Sequence, residues 1–206
     1  MQNFGLYVII TKPVLSYTVI AEICVKHKIK MLQLREKHLN DNEIVKIGRE
    51  IKSITKGSDT SFVINDRPDI AILCEADFLH LGQDDISYED ARKIIGSNMK
   101  VGLSTHSILQ AKEALKLKPD YIGFGPIYST TTKASPDPVV GTERLKAVLD
   151  FSNVPVIAIG GIFPEKLNDV LGAGASNIAL VRYLMQTKDF EKRIIELKSH
   201  IDNFKK

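Results

Sequence analysis

Residues 31–55 read MLQLREKHLNDNEIVKIGREIKSIT, and this stretch decides the fold. It opens on a short apolar run, 31–36, of strand length. Then Ile44, Ile47, Ile51 and Ile54 recur at the spacing of one helical face over 40–55. Asn40 or Asp41 can cap that helix, with Glu43 in its first turn. A strand followed at once by an amphipathic helix is one βα unit, and the unit repeats in both directions. Strand-like runs lie at 6–11, 31–36, 61–65, 78–82, 101–105, 121–128, 155–161 and 177–181, eight in all. Helical periodicity fills the intervals over 14–28, 40–55, 69–74, 88–95, 108–117, 143–149 and 164–171, and follows the last run over 189–201. Pro13 precedes the first helix, and Gly57, Gly96 and Gly172 or Gly174 stand where C-terminal caps are expected.

Strands that alternate with helices pair in parallel, because each crossover needs a helix. Runs apolar on both faces fit a sheet buried on both sides. Eight units without a change of pattern predict an α/β fold, a single (β/α)8 TIM barrel filling residues 1–206 as one domain. At about 26 residues per unit no room remains for a second domain. The alternative is an open doubly wound sheet. Against it, Thr11-Lys12-Pro13 follows the first strand, where a dinucleotide fold would carry a glycine-rich turn.

Composition narrows the class. Of 206 residues, 44% are hydrophobic and 26% charged, the balance of a soluble globular chain. Lys and Arg number 28 against 25 Asp and Glu, and a net charge of +3 gives no argument for nucleic acid. Cys24 and Cys74 alone make neither a disulfide framework nor a zinc pattern, and both read as reduced core thiols. The N-terminus has no basic signal region, and no apolar run approaches the length of a membrane span. A cytoplasmic protein is the expectation.

In a barrel of this kind chemistry sits at the C-terminal strand ends. The second strand runs into Gln33, Arg35 and Lys37, which share one face by the period of two. An amide and two cations there suit a multiply charged oxyanion, unless they form a solvated rim with Glu36. The third run leads to Asn65 and Asp66, the fourth through His80 to Asp84 and Asp85. Read singly, each aspartate would cap the next helix, Asp85 the one beginning near Ser87. Read together, two carboxylates from neighbouring strands can hold Mg²⁺ shared with a substrate phosphate. His80, inside its run, reads as a satisfied interior histidine. Ser104 and His106 share a face after the fifth strand, but no acid is evident to orient the histidine, so Ser104 reads as a hydroxyl donor. The long connection 129–141 carries Ser129, Thr130, Thr131, Thr132 and Lys133, groups suited to phosphate and to a closing loop. Gly160 and Gly161 end the seventh strand, where backbone amides can meet a phosphate, and the eighth run ends at Val181-Arg182. Two phosphate-binding sides to one mouth suggest a transferase or synthase.

Six of these strand ends, taken in order, resemble the thiamine-phosphate synthase family: QLREK at 33–37, IND at 64–66, HLGQDD at 80–85, GLSTH at 102–106, GPIYSTTTK at 125–133 and AIGGI at 158–162. The resemblance covers nearly the whole chain. It implies an Mg²⁺-dependent transferase that joins hydroxymethylpyrimidine diphosphate to thiazole phosphate, giving thiamine monophosphate and pyrophosphate. It also implies roles. Gln33, Arg35, Lys37, Asn65, Ser104 and Lys133 would bind the pyrimidine diphosphate, and Asp66 and Asp85 the metal. Thr130, Thr132, Gly161, Val181 and Arg182 would hold the thiazole phosphate. Arg35, Lys37 and Lys133 would stabilise the departing pyrophosphate in a carbocation-like substitution.

The family often has a small hydroxyl residue at the position of Arg182. Arginine there either pairs with the phosphate or points outward, and the sequence leaves both open. Two rivals share the barrel. One is a thiazole tautomerase paralogue, which lacks the metal and diphosphate set; the other is a non-catalytic thiamine-precursor binding protein. The retained Arg35, Lys37, Asn65, Asp66, Asp85 and Lys133 speak against both. Partners are expected to be small molecules, with no nucleic acid or membrane; a homo-oligomer is possible and the sequence does not decide it.

Overall fold

The computed structural model describes residues 3–131 and 137–204. Strands and helices alternate: β1 (Tyr7–Ile10), α1 (Tyr17–Lys26), β2 (Met31–Leu34), α2 (Asp41–Thr55), β3 (Ser61–Asn65), α3 (Pro68–Leu73), β4 (Phe78–Leu81) and α4 (Tyr88–Ile95) form the first half. The second half is β5 (Lys100–Thr105), α5 (Ile108–Lys116), β6 (Tyr121–Phe124), α6 (Gly141–Phe151), β7 (Val156–Ile159), α7 (Leu167–Gly172), β8 (Asn177–Ala179), α8 (Val181–Met185) and α9 (Phe190–Phe204). The sheet order is sequential from β1 to β8 and every pairing is parallel.

Closure joins β8 to the residues just before β1. Leu6 bridges to Ile178 in parallel, and the Ile178 amide donates to the Gly5 carbonyl at 3.0 Å. Asn177 clamps the same seam, its Oδ1 accepting from the Phe4 amide at 2.6 Å and the Gly5 amide at 3.2 Å. The (β/α)8 barrel expected from the eight-fold alternation is therefore the fold.

The period of two sorts each strand between two cores. Val8, Ile10, Leu32, Leu34, Phe62, Ile64, Ile122 and Phe124 face outward and pack under the helices. Tyr7, Ile9, Met31, Val63, Phe78, Tyr121, Ile157 and Ala179 face inward and fill the barrel with Phe4. Burying each large apolar side chain contributes about 1.5–3 kcal/mol, so the larger outer layer carries most of the stability. The inner layer is free to admit polar groups near its top.

Helix ends follow local chemistry. Asn40 caps α2 in a complete capping box with Glu43. Gly96 ends α4 at φ 70°, a conformation open to glycine. Asp77 and Asp120 look like candidate acids but serve the fold: they accept from the amides of Phe62 and Val101 at the opposite end of the barrel from the mouth. Cys24 and Cys74 are buried thiols without a disulfide. No helix among the described residues is long and apolar enough to cross a membrane.

Two strand ends differ from expectation. The sixth run stops at Phe124, because Pro126 has no N–H to extend the ladder. The eighth stops at Ala179, and Val181 and Arg182 open a separate short helix, α8.

Candidate active site

Inward-facing residues continue past the strand ends and build one mouth. Its inner part descends to Tyr7, Tyr121 and Ile157. Its outer part is ringed by Lys12, Arg35, Lys37, Asp66, Asp84 and Asp85. Arg35, Asn65, His80, Ser104, His106 and Arg182 line both.

Gln33 lies buried on β2 and donates from Nε2 to the Tyr7 hydroxyl at 2.9 Å. Arg35 sits just beyond β2, its amide donating to the Ile10 carbonyl at 2.9 Å. Lys37 meets Asp66 at 2.8 Å. Glu36, on the opposite face, is buried and accepts from the Tyr17 hydroxyl and the Lys12 amide, so it is not the rim partner of these cations.

Asp66 holds a left-handed backbone, φ 63°, uncommon outside glycine but most tolerated by Asn and Asp. Its amide donates to the His80 carbonyl at 2.8 Å, locking this turn to β4. The turn brings the Asp66 carboxyl beside that of Asp85. Burial and the hydrogen bond shared with Asp66 push Asp85 up. Burial also opposes charge on Asp66, but hydrogen bonds with Asp85 and Lys37, and the charges of Lys37 and Arg35, outweigh it and hold Asp66 down. Asp85 does not cap α4. It accepts from the Gly82 amide at 2.6 Å, while Ser87 caps the helix through the Asp90 amide at 3.0 Å.

Ser104 on β5 bonds to His80 Nε2 at 2.8 Å. His106 instead reaches the Gly125 carbonyl through Nδ1 at 2.5 Å, and its Nε2 lies 3.4 Å from Asp137. An acid does stand beside His106, contrary to expectation, because Asp137 of the sixth connection lines the mouth. Yet the serine bonds to the other histidine, so no hydrolase triad forms.

On the far side, Gly160 and Gly161 adopt φ 96° and 65°. A Cβ on Gly161 would lie 2.4 Å from the Ser129 carbonyl oxygen, so only glycine fits against this connection. Thr130 lines the inner mouth. Thr132 and Lys133 lie outside the described residues. Arg182 turns into the mouth: Nη1 donates to Thr131 Oγ1 at 2.7 Å, and the guanidinium lies over the Phe163 ring at 5.2 Å. Its buried Nε has no hydrogen-bond partner among the described residues. Of the two orientations left open by the sequence, the inward one is observed.

Tyr7, Tyr121, Asp137 and Phe163 also belong to the mouth, and sequence reasoning missed them. The two tyrosines carried a usable signal, a hydroxyl-bearing ring at an inward position of a doubly apolar strand. Asp137 and Phe163 carried none, being in irregular connections.

Comparison with known proteins fits this geometry. The family model described as thiamine monophosphate synthase matches residues 6–184. The thiamine-phosphate synthase of Persephonella marina is 37% identical over 208 residues, covering 98% of both chains. That of Lawsonia intracellularis is 39% identical over 173 residues, 84% of this chain and 80% of the relative. The solved thiamine phosphate pyrophosphorylase of Pyrococcus furiosus superposes with a TM-score of 0.87 at 30% identity, over 98% of this chain and 96% of that one. A 3-hexulose-6-phosphate synthase, 17% identical with a TM-score of 0.66, shares the barrel alone. With strand-end motifs, inward geometry and relatives in agreement over nearly its full length, the chain belongs to the thiamine monophosphate synthase family.

Proposed function

We propose that this transferase joins hydroxymethylpyrimidine diphosphate to thiazole phosphate, releasing pyrophosphate and forming thiamine monophosphate, in the cytoplasm and on small-molecule substrates. One observation carries the reading: a buried amide and hydroxyl lie directly beneath a rim of paired carboxylates and cations, so one substrate can seat a polar ring below and a diphosphate above.

The carboxylate pair supports a metal. Asp66 and Asp85 stand close enough that one resists ionisation, and a divalent cation removes that conflict. No cluster of three or more His, Cys, Asp or Glu suited to a metal occurs among the described residues. Mg²⁺ needs only one or two protein carboxylates when a substrate phosphate and water complete its shell. Asp66 and Asp85 would hold it; when bound, it neutralises charge building on the leaving pyrophosphate. Arg35 and Lys37 act on the same charge from the β2 side. Lys133 is assigned there by family resemblance. Gln33, Asn65 and Ser104 hold the pyrimidine side, while Thr130, Thr132, Gly161, Val181 and Arg182 take the thiazole phosphate.

The C–O bond to the diphosphate breaks with both electrons leaving on pyrophosphate. The electron-rich pyrimidine carries the resulting cation at its exocyclic methylene. The thiazole nitrogen, already a free nucleophile, then closes the C–N bond. No base is consumed, so the protein's part is to bind, orient and exclude water. The test is an assay with both precursors and Mg²⁺, following thiamine monophosphate and pyrophosphate together. Equal amounts of both are expected. Precursor binding without pyrophosphate release would overturn the reading in favour of a tautomerase or a binding protein.

A further inference from the structure

We propose that a one-way hydrogen-bond chain through the barrel interior sets which hydrogens Gln33 and Ser104 present to the pyrimidine, making Tyr7, Tyr121 and His80 positioning residues that select an amino over an oxo ring. The selectivity rests on the reading above that the pyrimidine seats in the inner mouth; the polarity of the chain does not.

Four hydrogen bonds run in sequence across five strands, and Gln33 also bonds to the Tyr121 hydroxyl. Gln33 Nε2 reaches the Tyr7 hydroxyl at 2.9 Å. The Tyr7 and Tyr121 hydroxyls are 2.8 Å apart. Tyr121 meets His80 Nδ1 at 2.9 Å, and His80 Nε2 meets Ser104 Oγ at 2.8 Å. The imidazole also stacks on the Tyr121 ring, centroids 5.5 Å apart and planes within 16°. Both tyrosines are buried at the floor of the mouth, so their hydroxyls are held chiefly by one another and by Gln33 and His80. The space is built for this: Gly102 leaves room for the Tyr121 ring, where a Cβ would lie 2.0 Å from Cζ.

Each hydroxyl owns one hydrogen, so the chain has only two polarities. With the Gln33 amide nitrogen on Tyr7, the Tyr7 hydrogen must go to Tyr121. The Tyr121 hydrogen then goes to His80 Nδ1, which accepts. A neutral imidazole therefore carries its hydrogen on Nε2 and donates it to Ser104. Ser104 keeps its own hydrogen to give to a ligand; Gln33, whose amide also donates to the Tyr121 hydroxyl, spends both Nε2 hydrogens inside the chain and keeps Oε1 to accept from one. The mouth thus offers one donor and one acceptor, the complement of a ring nitrogen beside an exocyclic amine. An oxo ring with its neighbouring N–H presents the opposite pair. Reversing the chain to suit it would have to turn five groups at once, and leaving it unreversed buries unpaired polar atoms.

The experiment reads the His80 tautomer directly, by long-range ¹H–¹⁵N correlation on the labelled full-length protein without ligand, assigned with His80→Gln. A hydrogen on Nε2 and none on Nδ1 is expected; a hydrogen on Nδ1, in a neutral or charged ring, overturns the polarity. The second arm compares kcat/KM for the amino and oxo pyrimidine diphosphates. A preference of about 10⁴-fold is expected for the intact chain, as for sites built around buried hydrogen bonds. Tyr121→Phe should reduce that preference at least tenfold while KM for thiazole phosphate stays unchanged. Tyr7→Phe breaks the chain one link earlier and serves if Tyr121→Phe fails to fold. An unchanged preference in the folded variants overturns the positioning role. Nδ1–H in an enzyme that turns over sinks the polarity and spares the reaction; Nε2–H without turnover sinks the reaction and spares the polarity.

Discussion

Asp85 shows how much one side chain depends on a neighbour. Its carboxyl is raised by burial and by Asp66, and it is anchored by the Gly82 amide. If the pair holds Mg²⁺, Asp85→Ala should lower turnover about 10–100-fold and raise the Mg²⁺ needed for half-maximal rate. An unchanged Mg²⁺ titration would remove the metal assignment. Gly102 makes a different prediction. Tyr121 cannot yield, being wedged against Phe4, Tyr7, Phe78 and His80. Gly102→Ala should therefore cost about 3 kcal/mol, the upper range for overpacking. Thermal denaturation should show a midpoint lower by roughly 6–12 °C. Gly102 stands in the GLSTH motif, but nothing in the motif calls for a glycine there; the reason is a ring 19 positions later that only packing reveals.

Helices here are held by their ends and by a few ties between neighbours. The α2 box joins Asn40 Oδ1 to the Glu43 amide at 3.0 Å and Glu43 Oε2 to the Asn40 amide at 2.9 Å. Asn40→Ala should cost about 1 kcal/mol, a loss of roughly 2–4 °C in melting temperature, with substrate KM unaffected. Glu191 in α9 ties down α1 through Lys26 at 2.8 Å and His27 at 2.6 Å. The hydrogen bonds from Lys26 and His27 hold its carboxyl below the usual glutamate range. A lowered carboxyl stabilises the fold above its unfolded-state pKa and loses that contribution as pH falls through the folded one. Wild type should thus melt higher than Glu191→Gln at neutral pH, and the gap should close at acid pH, below the ordinary glutamate range. A gap that persists at acid pH would locate the effect in packing instead. The α2 cap was readable because caps are local. The α1–α9 tie was not, since it joins residues 164 positions apart.

The barrel as a whole is closed by its weakest seam. Between β8 and β1 one bridge and the Asn177 side chain replace a full ladder. Asn177 also donates to the Val156 carbonyl at 3.2 Å, so one amide serves three strands. Asn177→Ala would leave the buried Phe4 amide unpaired and should cost about 1–3 kcal/mol. Amide exchange should accelerate at Phe4, Gly5 and Ile178 before it does in β3 to β5. Uniform acceleration around the barrel would instead mean that closure is not a local event.

The sequence by itself determined the order of the βα units, the faces of the strands and the charges gathered at successive strand ends. These follow from periods of 2 and 3.6 residues, which are local properties of the backbone. It also placed Gln33, Arg35 and Lys37 on one face of their strand, and Ser104 with His106 on one face of theirs. Only the tertiary structure decided which inward groups meet. Tyr7 and Tyr121 touch across 114 residues, Asp66 faces Asp85 through a left-handed turn, and Arg182 turns inward toward Thr131. Such contacts depend on how a closed sheet curves and on how its connections fold back, and no local period encodes either.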